Sequence, residues 1–86
     1  MTTPRQLDTL SAIARLTRQW GYPPTYTELR DELGIKGNNR VYQHVKALEA
    51  QGLVTRRPGT WRSLRVRAAG RDALLQRQHA QMEATP

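Results

Sequence analysis

Apolar side chains recur at steps of three and four residues along the first part of the chain, as they do on one face of a helix. This face contains Leu7, Leu10, Ile13, Ala14, Thr17 and Trp20. Thr3-Pro4-Arg5-Gln6 combines an N-cap, a proline at the first helical position and a glutamine that completes a capping box. Gly21 and Pro23-Pro24 prevent continuation. The pattern predicts a first helix from Pro4 to about Trp20.

A second, shorter helix is predicted after the two prolines. Another capping box stands at Thr25-Tyr26-Thr27-Glu28. Tyr26, Leu29 and Leu33 form a short apolar stripe behind it, and Gly34 ends the helix because glycine readily adopts the left-handed conformation of a C-cap.

A third helix begins at Asn38 or Asn39, either of which can act as the N-cap. Its buried stripe is predicted to consist of Val41, Val45 and Leu48, and it ends at Gly52. Two helices joined by a tight turn, with glycine after the first, are typical of a helix-turn-helix.

The apolar period changes from 3.6 to 2 after Gly52, which predicts a hairpin. The predicted strands are Leu53–Arg56 and Ser63–Arg67, joined by a turn at Pro58-Gly59-Thr60. Leu64 and Val66 should share one face of the second strand and Arg65 and Arg67 the other. The predicted fold is therefore mainly α with a small β-hairpin, a winged helix-turn-helix formed by residues 1–69.

Residues 70–86 are predicted to form a separate tail. Ala69-Gly70 resembles a boundary, although residues 71–83 contain good helix formers. The sizeable apolar groups of this segment are only Leu74, Leu75 and Met82, too few to bury a helix firmly. We expect either a frayed tail or a short helix that dimerises with another subunit.

Positive charge is concentrated in residues 34–67. The chain has 14 Lys and Arg residues against 7 acids, a net charge of +7. Residues 34–67 contain eight of the bases and a single acid, Glu49, whereas both flanks are neutral. The bases are Lys36, Arg40, Lys46, Arg56, Arg57, Arg62, Arg65 and Arg67. This distribution predicts a surface that neutralises phosphates, the alternative being a solvated basic face without a partner.

Other classes of function find little support in the composition. The chain has no cysteine and two isolated histidines, so we expect no metal site and no cofactor, and no small-molecule ligand is evident. No catalytic motif is present, which argues against an enzyme, and the acids are expected to form intrahelical pairs. No apolar run approaches the roughly 20 residues of a membrane span or resembles a signal peptide. We expect a cytoplasmic protein.

The motifs resemble, in order and spacing, the N-terminal DNA-binding domain of the LexA repressor family. The shared motifs are Thr3-Pro4-Arg5-Gln6, Gly21-Tyr22-Pro23-Pro24-Thr25, Glu28-Leu29, Leu33-Gly34-Ile35, His44-Val45-Lys46-Ala47-Leu48, Gly52-Leu53-Val54 and, after Gly59, Arg62-Ser63-Leu64-Arg65. The resemblance implies a winged helix that places its third helix in the major groove and its wing on the flanking backbone. It also implies homodimers on a pseudo-palindrome.

Family members continue into a self-cleaving Ser/Lys peptidase that also dimerises the protein, whereas this sequence ends 19 residues after Arg67. We therefore expect no autoproteolysis in this chain and a dimer contact that is built differently.

Candidate base contacts lie at the start of the third helix. The resemblance implies Gly37, Asn39, Arg40, Tyr42 and Gln43. LexA-type repressors commonly have serine at the first of these positions and two acids at the last two. Side-chain chemistry independently favours Asn38, Asn39, Arg40 and Gln43, with Tyr42 and His44 as further candidates, because amides suit adenine and arginine suits guanine. Asn38 could instead act only as a cap, Tyr42 could pack against the first helix, and His44 could be an ordinary surface residue.

Candidate contacts to the DNA backbone or minor groove surround these positions and include the wing. They are Thr25, Thr27, Lys36, Asn38, Lys46, Arg56, Arg57, Trp61, Arg62 and Arg65. Trp61 has two interpretations: it contacts the sugar-phosphate edge, or it covers the apolar side of the hairpin.

The sequence thus favours a regulator, most simply a repressor, that binds double-stranded DNA as a homodimer in the bacterial or phage-infected cytoplasm and associates with the nucleoid. A protein-interaction adaptor that modulates a repressor is the alternative, and such a module should expose an apolar patch on the third helix and wing. An architectural protein that bends DNA is a third possibility.

Overall fold

Four helices and a two-stranded antiparallel sheet follow one another in the computed structural model, which describes residues 2–83. The elements are α1 (Pro4–Trp20), α2 (Tyr26–Leu33), α3 (Asn38–Ala50), β1 (Val54–Thr55), β2 (Arg65–Val66) and α4 (Ala68–Glu83). The winged helix-turn-helix fold predicted from the sequence is confirmed. None of the described helices has the length and apolar character needed to cross a lipid bilayer.

The first two helices begin and end where their local signals predict. Thr3 Oγ1 accepts a hydrogen bond from the Gln6 amide at 3.2 Å, and the Gln6 side chain accepts one from the Thr3 amide in return. The capping box at Thr25 and Glu28 is complete in the same way. Gly21 closes α1 in the left-handed conformation, with φ of +80°. Local hydrogen bonding therefore determines these two helices.

The predicted N-cap of α3 is wrong. Neither asparagine caps the helix, because Gly37 occupies the N-cap position and Asn38 is already helical. The Asn38 side chain donates to Thr27 Oγ1 at 3.1 Å and accepts from Arg30 Nη1 at 3.2 Å. Contacts to α2 thus use the polar groups that a cap would need. The helix also ends at Ala50, two residues before the predicted glycine.

One core unites the three helices of the domain and the hairpin. It consists of Leu10, Ala12, Ile13, Leu16, Leu29, Val41, Val45, Leu48, Leu53, Val54 and Leu64. The predicted buried stripe of α3, Val41, Val45 and Leu48, is fully buried against α1 and α2. Because these side chains point inward, the opposite side of α3 must face solvent.

The strands of the wing are shorter than predicted. Val54 pairs with Val66 and Thr55 with Arg65, and pairing then stops. Beyond this point the Ser63 hydroxyl, rather than a backbone group, bonds both the amide and the carbonyl of Arg57. A side chain therefore replaces the ladder at the wing tip. The predicted alternation is confirmed, since Leu64 is buried and Arg65 is exposed.

The possible C-terminal helix is present as α4 and packs on its own chain, and its predicted part in dimerisation stays a prediction. Leu74 is half-buried against the core, and Arg77 Nη2 donates to Asp8 Oδ1 of α1 at 2.6 Å. Gly70, in the first turn, is buried so closely that an added Cβ would lie 2.4 Å from the Leu53 carbonyl oxygen. Leu75 remains 53% exposed. The domain division at residues 69 and 70 stays a prediction, and residues 84–86 lie outside the described range.

Candidate nucleic-acid interface

The outward side of α3 is a polar surface. At 100° per residue, Asn39, Gln43 and Lys46 lie opposite the buried stripe, and all three side chains are exposed. We call these three residues the α3 outer face. Gly37 lies just before them with φ of +89°. Because glycine has no side chain, this position can contribute backbone groups only. Of the five predicted base-contacting positions, the structure thus brings together Gly37, Asn39 and Gln43.

One flank of the α3 outer face is held together by several hydrogen bonds. Arg56, from the end of β1, donates to Tyr26 Oη at 3.2 Å, to Tyr42 Oη at 3.4 Å and to Glu49 Oε1 at 3.4 Å. Its guanidinium also lies 5.0 Å from the centroid of the Tyr42 ring. We call Tyr26, Tyr42, Glu49 and Arg56 the wing flank.

The wing flank changes the interpretation of two predicted DNA contacts. Tyr42 packs edge-on against Tyr26 of α2, with ring centroids 6.0 Å apart. The hydrogen bond that the Tyr42 hydroxyl accepts, the Coulombic effect of Tyr26, and the hydrogen bond and negative charge of Glu49 favour the charged guanidinium and raise the pKa of Arg56. Arg56 therefore supports α3 from the side, and its predicted contact with DNA stays a prediction.

The other flank of the α3 outer face is open. Arg40 and His44 lie on the side of α3 that faces the first turn of α1, next to Arg5. Burial, followed by repulsion from Arg40 and Arg5, lowers the pKa of His44. We call Arg5, Arg40 and His44 the α1 flank.

Arg62 fixes the wing to the start of α2. Its guanidinium donates to both oxygens of Glu28, at 2.8 and 3.1 Å, and to the Pro23 carbonyl at 3.0 Å. It also lies over the rings of Tyr22 and Trp61, 4.6 and 4.5 Å from their centroids. The Arg62 bond is the main cause that lowers the pKa of Glu28.

The remaining wing and turn candidates divide into exposed and engaged groups. Trp61 is 74% exposed and carries Arg62 on its ring, so it does not cover the apolar side of the hairpin. Arg57 and Arg65 are exposed. Thr25 and Thr27 accept hydrogen bonds from Glu28 and Asn38. Their predicted contacts with phosphate stay predictions.

The expectation of intrahelical pairing for the acids is wrong. Among the five ion pairs of the described residues, only Arg30–Asp31 lies within one helix. The others join different parts of the fold and are Arg15–Glu32, Arg56–Glu49, Arg62–Glu28 and Arg77–Asp8. Within residues 34–67, six basic residues therefore have no carboxylate partner in the described structure. They are Lys36, Arg40, Lys46, Arg57, Arg65 and Arg67.

Sequence reasoning missed two residues of this surface. Arg5 belongs to a flank that reads as neutral, and only the packing of α1 against α3 brings it beside His44. Glu28 was recognised as part of a capping box, but nothing in its neighbourhood indicates that Arg62, 34 residues away, also binds it.

Several known proteins are similar to this chain in sequence. The sequence profile of the LexA DNA binding domain matches residues 1–63. The LexA repressor of Pseudomonas aeruginosa is 42% identical over 64 residues, which are 74% of this chain and 31% of that protein. The LexA repressor of Tolumonas auensis (41% identical, 74% and 31%) and LexA repressor 1 of Pseudomonas putida (41%, 74% and 32%) match similarly. This chain thus spans about a third of the length of these relatives, and it belongs to the LexA DNA-binding domain family.

Proposed function

We propose that the chain is a transcriptional regulator that binds double-stranded DNA sequence-specifically and represses by occupying a promoter. The observation that carries this proposal is the α3 outer face, a row of exposed amide and ammonium groups. It lies within a surface of Lys and Arg side chains that have no carboxylate partner in the described structure. A convex polar helix of this kind fits the major groove, which admits an α-helix and presents a distinct donor and acceptor pattern for each base pair.

The α3 outer face supplies chemistry that reads bases. The side-chain amides of Asn39 and Gln43 can each donate and accept, which matches adenine, and Lys46 can donate to guanine. Gly37 can add its backbone amide at the start of the helix. The Tyr42 hydroxyl already accepts from Arg56, and the predicted base contact of Tyr42 stays a prediction.

The basic side chains without a carboxylate partner, around α3 and in the wing, supply affinity for the DNA backbone. Lys36 precedes α3, Arg57 lies near the exposed Trp61 in the wing, and Arg65 is exposed on β2. This arrangement suits phosphates or a narrow minor groove. If about six of the basic residues of the chain each contact a phosphate, log K should fall with log salt at a slope of about −5.

The adaptor alternative receives no support from the same surface. An adaptor needs an exposed apolar patch on α3, yet the α3 outer face is wholly polar and Tyr42 is half-buried. Trp61 and Tyr22 are the large exposed aromatics near the wing, and both rings are covered on one side by Arg62.

Dimerisation is part of the proposal, because two modules on half-sites about 34 Å apart give the specificity that one small module lacks. Leu75 of α4 is the exposed apolar group that a second copy would cover. Leu75→Gln should lower the solution mass measured by sedimentation, whereas the neighbouring exposed Gln76→Ala should not. An unchanged mass for Leu75→Gln would remove α4 from the dimer contact.

The deciding experiment selects binders from a random duplex pool at physiological salt with excess unlabelled competitor. We expect a palindromic motif, and Gln43→Ala should relax it at one base pair per half-site, a loss of about 1 to 3 kcal/mol in discrimination. Lys36→Gln, which removes a backbone contact, should weaken all sequences alike. Recovery of no motif, with binding that disappears as salt rises, would overturn sequence-specific regulation and favour the adaptor.

A further inference from the structure

A cavity of about 360 Å³ opens between the first turn of α1 and the side of α3. The residues that line it are Arg5, Gln6, Ile35, Arg40, Gln43 and His44. Two of these side chains are guanidinium cations, one is an imidazole, and none is a carboxylate. The cavity thus has a concentration of positive charge without an acid in its lining.

This positive charge acts on His44, one of the residues that line the cavity. His44 is half-buried, and its pKa is lowered first by burial and then by the positive charges of Arg40 and Arg5. Like charges that converge on one partly buried site raise its potential, and an anion relieves the repulsion. By contrast, Arg77 of α4 and Arg15 of α1 each have a carboxylate partner.

We propose that Arg5, Arg40 and His44 form a phosphate-binding site that holds the DNA backbone on the α1 side of α3. The proposal rests on the proposed function and deepens it, because it assigns a ligand to a surface outside the predicted base and wing contacts. Arg5 lies in a neutral part of the sequence and carries no role in those contacts.

The position of the cavity favours a phosphate of the duplex. Gln43 belongs both to the cavity lining and to the α3 outer face, so the cavity adjoins the surface that faces the major groove. A helix in the major groove has a sugar-phosphate strand along each side. The guanidinium forks of Arg5 and Arg40 suit phosphate oxygens, and the first turn of α1 contributes the positive end of its dipole.

The site also places Arg40 differently from the base contact predicted for it. Arg40 lies about a quarter turn from the α3 outer face, beside His44, whereas Asn39 and Gln43 face directly outward. A phosphate contact by Arg40 positions the helix and carries no sequence information, and a base contact would change the selected motif.

Proton uptake should accompany DNA binding at this site. A phosphate beside His44 favours the charged imidazolium, so the pKa of His44 rises on binding from its lowered value. The charged groups that face His44 are Arg5 from α1 and Arg40 from α3, and the other lining residues do not titrate. Affinity should therefore increase as pH falls through the bound-state pKa and level off below the free-state pKa.

The first test compares Arg5→Gln with Arg18→Gln, which removes the same charge from an exposed position elsewhere on α1. Arg5→Gln should weaken duplex binding roughly tenfold and reduce the salt slope by about 1, with the selected motif unchanged. Arg18→Gln should leave the salt slope unchanged. Arg40→Gln should behave like Arg5→Gln; equal slopes for Arg5→Gln and Arg18→Gln, or an altered motif for Arg40→Gln, would overturn the phosphate site.

The second test measures duplex affinity from about pH 8 to pH 5, the range in which histidine titrates. The wild type should bind more tightly at lower pH, and His44→Gln should lose this dependence while His79→Gln, at an exposed position of α4, retains it. A dependence that survives His44→Gln would overturn the imidazole's part. Failure of the proposed function gives a different result, because the wild type then selects no motif at any pH or salt concentration.

Discussion

The two flanks of α3 carry similar numbers of charged and polar groups but hold them in opposite ways. On the wing flank, Arg56 is bonded to Glu49 and two tyrosine hydroxyls. On the α1 flank, Arg5 and Arg40 have no carboxylate partner in the described structure. One flank is therefore internally satisfied, and the other has unused charge that an external anion can satisfy.

This contrast shows that charge density alone does not tell which basic side chains are free of partners within the protein. Arg40, Arg56 and Arg62 belong to the same basic segment and look equivalent in the sequence. The structure separates them by their partners: Arg56 and Arg62 bond groups of the protein, and Arg40 has no such bond among residues 2–83. Breaking the contrast by substitution should separate stability from binding.

The largest expected effect is on folding stability. Arg56→Ala removes three hydrogen bonds and a stacked guanidinium, and it leaves Glu49 without a partner. The free energy of unfolding should fall by about 2 kcal/mol, measured by urea denaturation. Arg40→Ala is the matched control, with an expected change within about 0.5 kcal/mol because its side chain is exposed. Equal losses for the two variants would contradict the distinction between the flanks.

An intermediate effect is expected at the bridge between Glu28 and Arg62. Glu28→Gln keeps the capping box, which accepts Gln at this position, but removes the charge that Arg62 binds. The wing tip should loosen, so the amide of Thr60, which bonds the Arg57 carbonyl, should exchange with solvent about tenfold faster. The fold itself should persist.

Acid should produce the same loosening in the wild type. Because Arg62 lowers the pKa of Glu28, the bridge stabilises the wing above the ordinary glutamate pKa, and this stabilisation is lost as pH falls through the lowered value. Amide exchange at Thr60, corrected for its intrinsic pH dependence, should approach that of Glu28→Gln once the pH falls below the lowered pKa of Glu28. A variant and wild type that differ equally at all pH values would contradict this.

The smallest effect is expected for an ion pair between exposed partners. Glu32→Gln breaks the contact with Arg15, whose side chain is 53% exposed. Stability should change by less than about 0.5 kcal/mol, and amide exchange at Thr60 should not change. The same charge removed from the same helix as Glu28 thus tests whether position, rather than net charge, governs the wing. A larger loss than that of Glu28→Gln would contradict it.

The helices were predictable because their signals are local. Thr3 and Gln6, or Thr25 and Glu28, complete their hydrogen bonds within one turn, so the residues that decide the helix start are neighbours in sequence. Asn38 has the same chemistry as these caps but bonds Thr27 and Arg30 instead. A competing partner from another element is invisible in the local pattern.

The site was predictable in outline and not in its division of labour. The basic segment and the start of α3 follow from composition and spacing. The ion pairs that remove Arg56 and Arg62 from the unpaired set depend on folding, as does the approach of Arg5 to His44. Helix α4 was underestimated for a related reason: Gly70 reads as a break in the chain but serves a close approach to Leu53.

The Arg62 bridge also bears on the entropy of association. Arg62 adopts a left-handed backbone conformation, with φ of +56°, that its bonds to Glu28 and Pro23 maintain. A wing tethered in this way is already ordered in the free protein. Binding therefore avoids the entropic cost of ordering it, which is about 0.5 to 1.5 kcal/mol for each flexible side chain that has to be immobilised. Preorganisation of this kind means that encounter with DNA can proceed by rigid docking, and that releasing the tether would weaken the complex without removing a single contact from it.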